Sequence, residues 1–393
     1  MHMTIKSFLR LSVLVTLCGL FSLSCDQNPI FYHIHFELPP TDPRIKGSPT
    51  NIIPLSDAVY VAGKHGSKIH RYTVSGWDTI PNPGGSLLEL ATDGTELFAL
   101  VYHGDVMSAN SEIKKYDPLT GSWGNSLSYP GYSIQTMYGA GADVFAGAKS
   151  GSNCIILHCG TTLSAIKATS FLLSGAAQDS VPSVVYLATN GDGVFKYAGG
   201  TITGPVPGVP TNVLGIFEIE DSATKAIVAV SSRTVYFMAS GGSSFTEGVS
   251  IGGNDGFTGA MGVWKNYIGD PQNGVFDWEQ SLLLLGVSVE GKNSSSSQGY
   301  RELVLNSAGL PNGVFKIPGS SSPSSIEVSS NSESRYKAGL GKNPIQSGIL
   351  QLPKEMAPGV SSVLDVPIFA STYQEGLWSY RQRKGEYQWN AEE

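Results

Sequence analysis

The chain has 393 residues, a formal net charge of −7, 41% hydrophobic and 15% charged residues, with 47 glycines. So few bases exclude a nucleic-acid surface, because phosphate binding needs clustered lysine and arginine. The glycine-rich, charge-poor composition suits short strands and tight turns better than helices.

The chain opens with Lys6 and Arg10, runs uncharged from Leu11 to Leu20, and reaches Ser22, Leu23 and Ser24 before Cys25. That order reads as a secretory signal peptide over residues 1–24. Its apolar run is shorter than the ~20 residues that span a bilayer as a helix, and no second run follows. Losing two bases and no acid with this segment moves the net charge from −7 to −9.

The stretch "FSLSC" resembles a bacterial lipobox, in the loose form of spirochaetal lipoproteins: Ser22 stands where leucine is usual, and Leu23 comes one place late. The resemblance implies a lipidated, palmitate-bearing Cys25 and an envelope address, periplasmic or surface-exposed, with the lipid as the sole membrane attachment. Ordinary cleavage at the same small residues is the alternative.

Residues 25–48 form an N-terminal segment in which "IFYHIHFEL", Ile30 to Leu38, alternates as a strand does. Its expected role is to close a ring by pairing with the last sheet and removing an open edge. His33 and His35 share one face of it and are weak candidates for a metal pair, with no third ligand at a readable spacing.

From residue 49 to 393 one motif recurs: an apolar run, a glycine-rich turn, and a second run ending near a tyrosine, as in "VVYLATNGDGVFKY". Aligning the second runs gives Tyr72, Tyr116, His158, Tyr197, Met238, Leu305, Leu352 and Tyr380, with a period near 42 over the first five. Apolar residues alternate with period two, and the turns carry Gly, Asn, Asp and Ser, which excludes a helical array. Four short antiparallel strands per period make a β-propeller blade. The fold class is therefore all-β, a propeller of eight blades by this alignment, with seven as second choice. The aligned positions Leu352 and Tyr380 stand too close together to hold a full blade comfortably.

Two stretches break the period. Residues 252–274 read as an insertion and 290–299 as a polar loop. Trp264, Tyr267, Phe276 and Trp278 crowd the first and the strand after it and are the partner-contact candidates, since aromatics bring large contact area at low entropic cost. The competing reading is that they fasten the insertion onto its own blade. Cys154 and Cys159 lie five apart on one strand, about 16 Å from each other. That is too far to bridge, so both read as buried thiols.

"VYLATNGDGVFKY" resembles the repeats of pyrroloquinoline-quinone-type and two-component-regulator-type propellers, and "YDPLTGSW" resembles a kelch repeat. The whole chain is similar in outline to the BamB component of the outer-membrane protein assembly machinery. These resemblances imply blade packing and an envelope setting, and propellers host many activities.

No P-loop, Rossmann fingerprint, nucleophile elbow or zinc-protease motif appears, and "GGNDG" and "NGDG" read as turns. No cofactor is expected, no residue stands out as catalytic, and His65, His70 and His103 read as structural. The functional expectation is a non-enzymatic scaffold or adhesion-type lipoprotein contacting envelope or host proteins, with glycan as a further class of partner. The alternative is a carbohydrate-active enzyme, of glycoside hydrolase or sialidase type, with its site at the channel mouth.

Overall fold

The computed structural model describes residues 44–392 except 57, 105–109, 222–223, 252–254, 269–276, 290–298, 306–310, 317–344, 354–355, 357–365, 374–375 and 384–385. The described residues belong to the compact unit Asp42–Glu393. They form seven four-stranded antiparallel sheets, each a simple meander of consecutive strands. Blade one covers 53–80, blade two 86–123, blade three 133–169, blade four 173–203, blade five 215–250, blade six 255–316 and blade seven 345–391.

The second strand of a blade explains why the recurring run is so apolar. Ala58–Ala62, Leu97–Tyr102, Val184–Thr189 and Ile368–Thr372 are buried at every position. Both faces of such a strand meet a neighbouring blade, so alternation disappears. Third strands alternate instead, as in Ser111–Asp117.

Successive blades are joined by apolar clusters. Leu87 and Leu97 pack with Tyr60 and Ile69 between blades one and two, and Val228 and Val235 pack with Leu283 and Leu303 between blades five and six. Val59 and Val61 of blade one pack with Phe369 and Leu377 of blade seven, which closes the ring. At the axis, neighbouring inner strands approach so closely that a Cβ added at Gly139, Gly215 or Gly262 would overlap the carbonyl oxygen of Thr92, Gly259 or Ile349 respectively.

Among the described residues no strand is shared between the first and last blades, and the closing seam has its own fastening. Glu392, 1% exposed, accepts the Trp77 indole N–H at 3.0 Å and Arg381 Nη2 at 2.7 Å, as well as the Ser379 hydroxyl. The backbone N–H of Arg44 donates to the Glu392 carbonyl at 2.7 Å, and its guanidinium lies 5.5 Å from the Trp77 ring centre. Ser371 Oγ donates to Thr50 O, and Gly376 N to Gly47 O. The segment 44–50 thus runs between the two blades. The strand expected at residues 30–38 lies outside the described residues.

Seven blades replace the eight of the first choice. Leu352 immediately follows Ile345–Gln351, the inner strand of blade seven, which pairs with Ile368–Thr372. That inner strand buries Ile345, Ile349 and Gln351 and exposes Gln346; the aligned Leu352 falls at its end, so the alignment counts an inner strand as a separate blade. The stretch 252–274 supplies blade six with its inner strand Asp255–Ile268, which pairs over most of its 14 residues with Asp277–Val289. Residues 255–268 of the expected insertion are thus a strand of the blade itself, while 252–254 and 269–274 lie outside the described residues.

Candidate functional site

A meander of four strands sends its turns to two ends. The turns from first to second and third to fourth strands form the lower face; those from second to third strands, with the links between blades, form the upper face. Around the axis runs a cavity of about 680 Å³ lined by all seven blades. Its lining is mostly aliphatic side chains and glycine, with Asn51, Thr92, Tyr138, Ser174, Ser347 and Gln351 as uncharged polar members. Among the described lining residues Glu218 is the single carboxylate.

Tyr138 faces this space, and burial followed by the charge of Glu89 pushes its hydroxyl well above the ordinary tyrosine range. Glu89, 9% exposed, sits near the upper mouth. It accepts the N–H of Asn51 at 2.6 Å and meets Lys64 Nζ at 3.1 Å. A glycoside hydrolase needs two carboxylates roughly 5 to 10 Å apart at the bond to be cut. With Glu89 held by a lysine and a backbone amide, the described channel does not present such a pair, and the hydrolase alternative is not favoured.

The histidines do not converge. His65 Nδ1 lies 2.8 Å from the Tyr102 hydroxyl, while His103 Nε2 lies 3.1 Å from Glu112. His70 is held below its ordinary value first by burial, then by Arg44 and Lys68. His158 pairs with Asp143 at 2.7 Å. The carboxylate partners of His103 and His158 were missed in the sequence because both pairs form across a hairpin, nine and fifteen residues apart. Among the described residues no three His, Cys, Asp or Glu side chains group as a metal site.

Of the aromatic candidates, Trp264 is 5% exposed and packs with Ile349, Trp378 and Tyr380 between blades six and seven. It fastens blades and offers no contact surface. Tyr267 and Trp278 stand opposite each other on the first two strands of blade six; their side chains, and Phe276 entirely, lie outside the described residues. Cys25, His33 and His35 also lie outside them. Cys154 and Cys159 are buried free thiols, and burial pushes Cys159 up to about 12. Among the described residues no helix is long and apolar enough to cross a membrane.

The lower turns are closed by their own aspartates. Asp93 Oδ1 accepts the N–H of Thr95 and of Glu96 at 2.9 and 2.7 Å. Asp117 takes Leu119 N–H and the Thr120 hydroxyl, and its pKa is lowered by those two bonds. Asp179, 3% exposed, links blades four and five through the Ser240 hydroxyl at 2.5 Å and Gly241 N–H at 3.1 Å. Burial pushes the Asp179 pKa up, yet these bonds outweigh it and hold it below the ordinary value. The upper turns instead expose Lys68 and Arg233, and carry Phe171 and Tyr373 at 49% and 45% exposure.

No family model and no curated protein matches the sequence. Solved structures match widely, with 920 chains, so the likeness identifies a common architecture and no activity. One is a chain of the "Crystal Structure of Mitotic Checkpoint Complex", with a TM-score of 0.52 at 11% identity, covering 88% of this chain and 96% of that one. At that identity the likeness shows the propeller fold alone.

Proposed function

We propose that this chain is an exported propeller, anchored to the cell envelope through a lipid on Cys25, that acts as a non-enzymatic binding scaffold for envelope or host partners. The upper face is its contact surface. One contrast carries the reading: the described channel holds a single carboxylate, whereas the upper face sets exposed bases and aromatics on a rigid ring. Loops on a stiff scaffold are the usual seat of recognition. The lipobox-like "FSLSC" supports the anchor, and the loose likeness to BamB and spirochaetal lipoproteins supports the setting.

The test is the Cys25→Ser variant expressed in a bacterial host with labelled palmitate, alongside mass-spectrometric capture of cross-linked neighbours from intact envelopes. The account expects label and membrane retention in the wild type only, and a reproducible neighbour that is lost when the upper face is altered. Unlabelled wild-type protein would remove the anchor, and turnover of a glycoside substrate would remove the scaffold.

A further inference from the structure

On the upper rim of blade four, Phe171 is the only large hydrophobic side chain of blades three and four that is strongly exposed on this face among the described residues. It is also held unusually firmly. Asp192 Oδ2 accepts the N–H of Ser170 at 2.7 Å and of Phe171 at 3.1 Å, and Thr169 Oγ1 donates to the Phe171 carbonyl at 2.8 Å. The ring lies against Gly191. A Cβ added there would collide at once with Cδ2, Cε2 and Cγ, which only a position above the ring face allows. Gly191 also has φ of 150°, a backbone that side-chain-bearing residues rarely adopt. One ring face is therefore seated on bare backbone, and the residue still leaves 49% of its surface to solvent.

The surroundings are polar and include one carboxylate, that of Asp192. Asn190 precedes Gly191, and an isolated β-bridge sets it opposite Asn212. Both asparagines and Thr211 are exposed. Gly191 and Gly193 donate their N–H groups to the Thr211 carbonyl at 2.9 and 2.8 Å, which ties the two loops into one surface. The Asp192 carboxylate is occupied by the loop it holds.

We propose that this platform binds a neutral sugar ring, the C–H face stacking on Phe171 and the hydroxyl edge reaching the amides of Asn190 and Asn212. A single rigid aromatic bordered by two exposed asparagines matches that amphipathic shape. A protein partner commonly covers about 800 Å² per side and uses several clustered anchors. No second exposed anchor stands beside Phe171 among the described residues. The inference rests on the scaffold reading only in taking the upper face as the contact face.

The experiment is calorimetric titration of the full chain with chito-, cello-, malto- and manno-tetraose at millimolar concentration. At least one should bind, Phe171→Ala should weaken it by about tenfold or more, and Phe171→Trp should retain it. Asn190→Ala should weaken it less, with unchanged circular dichroism throughout. No binding to any of the four, or binding that Phe171→Ala leaves intact, overturns the proposal. If no sugar binds while Phe171→Ala abolishes a cross-linked protein neighbour, the sugar reading falls and the scaffold stands. If a sugar binds through Phe171 while no neighbour is captured, the sugar reading stands and protein scaffolding falls.

Discussion

The two faces of the ring spend their polar residues differently. On the lower face Asp93, Asp117 and Asp179 turn their carboxylates inward onto turn amides and hydroxyls, so their charge serves the fold. Exposed Val74, Leu119 and Val181 are scattered singly on different blades there, which is normal for a soluble surface. On the upper face Lys68 and Arg233 project outward, and Phe171 is held still with one face open. A closed turn stabilises, whereas a rigid group left open is available to a partner.

The closing seam sets the scale for stability. Glu392→Ala would leave Arg381 and the Trp77 N–H unpaired at a buried site, and removing one partner of a buried pair typically costs about 3 kcal/mol or more. Chemical denaturation should show that loss, with Trp77 fluorescence reporting it. Asp179→Ala comes next, at about 2 kcal/mol, because it strands the Gly241 N–H and Ser240 hydroxyl between two blades. Asp93→Ala should cost about 1 kcal/mol by opening one turn. A larger effect from Asp93 than from Asp179 would contradict the assignment of Asp179 to the seam between blades.

Acidification should separate the two sides in pH. His70, near the upper face, has its folded pKa below its ordinary 6.5. The unfolded chain therefore takes the proton first, and stability falls as pH drops below 6.5 towards the folded value. Asp179 has its folded pKa below 3.8. Its contribution is present above 3.8 and is lost as pH falls through the folded value. Equilibrium unfolding against pH should show both phases, with His70→Gln removing the first and Asp179→Asn the second. Smallest in stability is Lys68→Glu with Arg233→Glu, expected within about 0.5 kcal/mol of the parent, yet this pair should weaken capture of the proposed partner.

Much of the fold was legible because burial between blades erases polar residues from second strands, as in "VYVA" and "VVYLAT". The blade count was less so. The aligned Leu352 falls at the end of Ile345–Gln351, a strand that lines the channel, and the 14-residue strand Asp255–Ile268 is far longer than other inner strands. The site was hardest to read. Phe171 gives no sequence signal by itself, because its exposure depends on Gly191 and Asp192, some twenty residues later. An aspartate falls between the first and second strands at Asp93 and Asp179. Its turn-closing role at Asp93 and Asp179 needed the hydrogen bonds.

The most direct test is site-specific photo-cross-linking of the full chain in cells from upper positions Lys68, Phe171 and Arg233 and from lower positions Thr95, Leu119 and Ser180. The account predicts defined adducts from the upper set alone. Adducts arising mainly from the lower set, or equally from both, would contradict it.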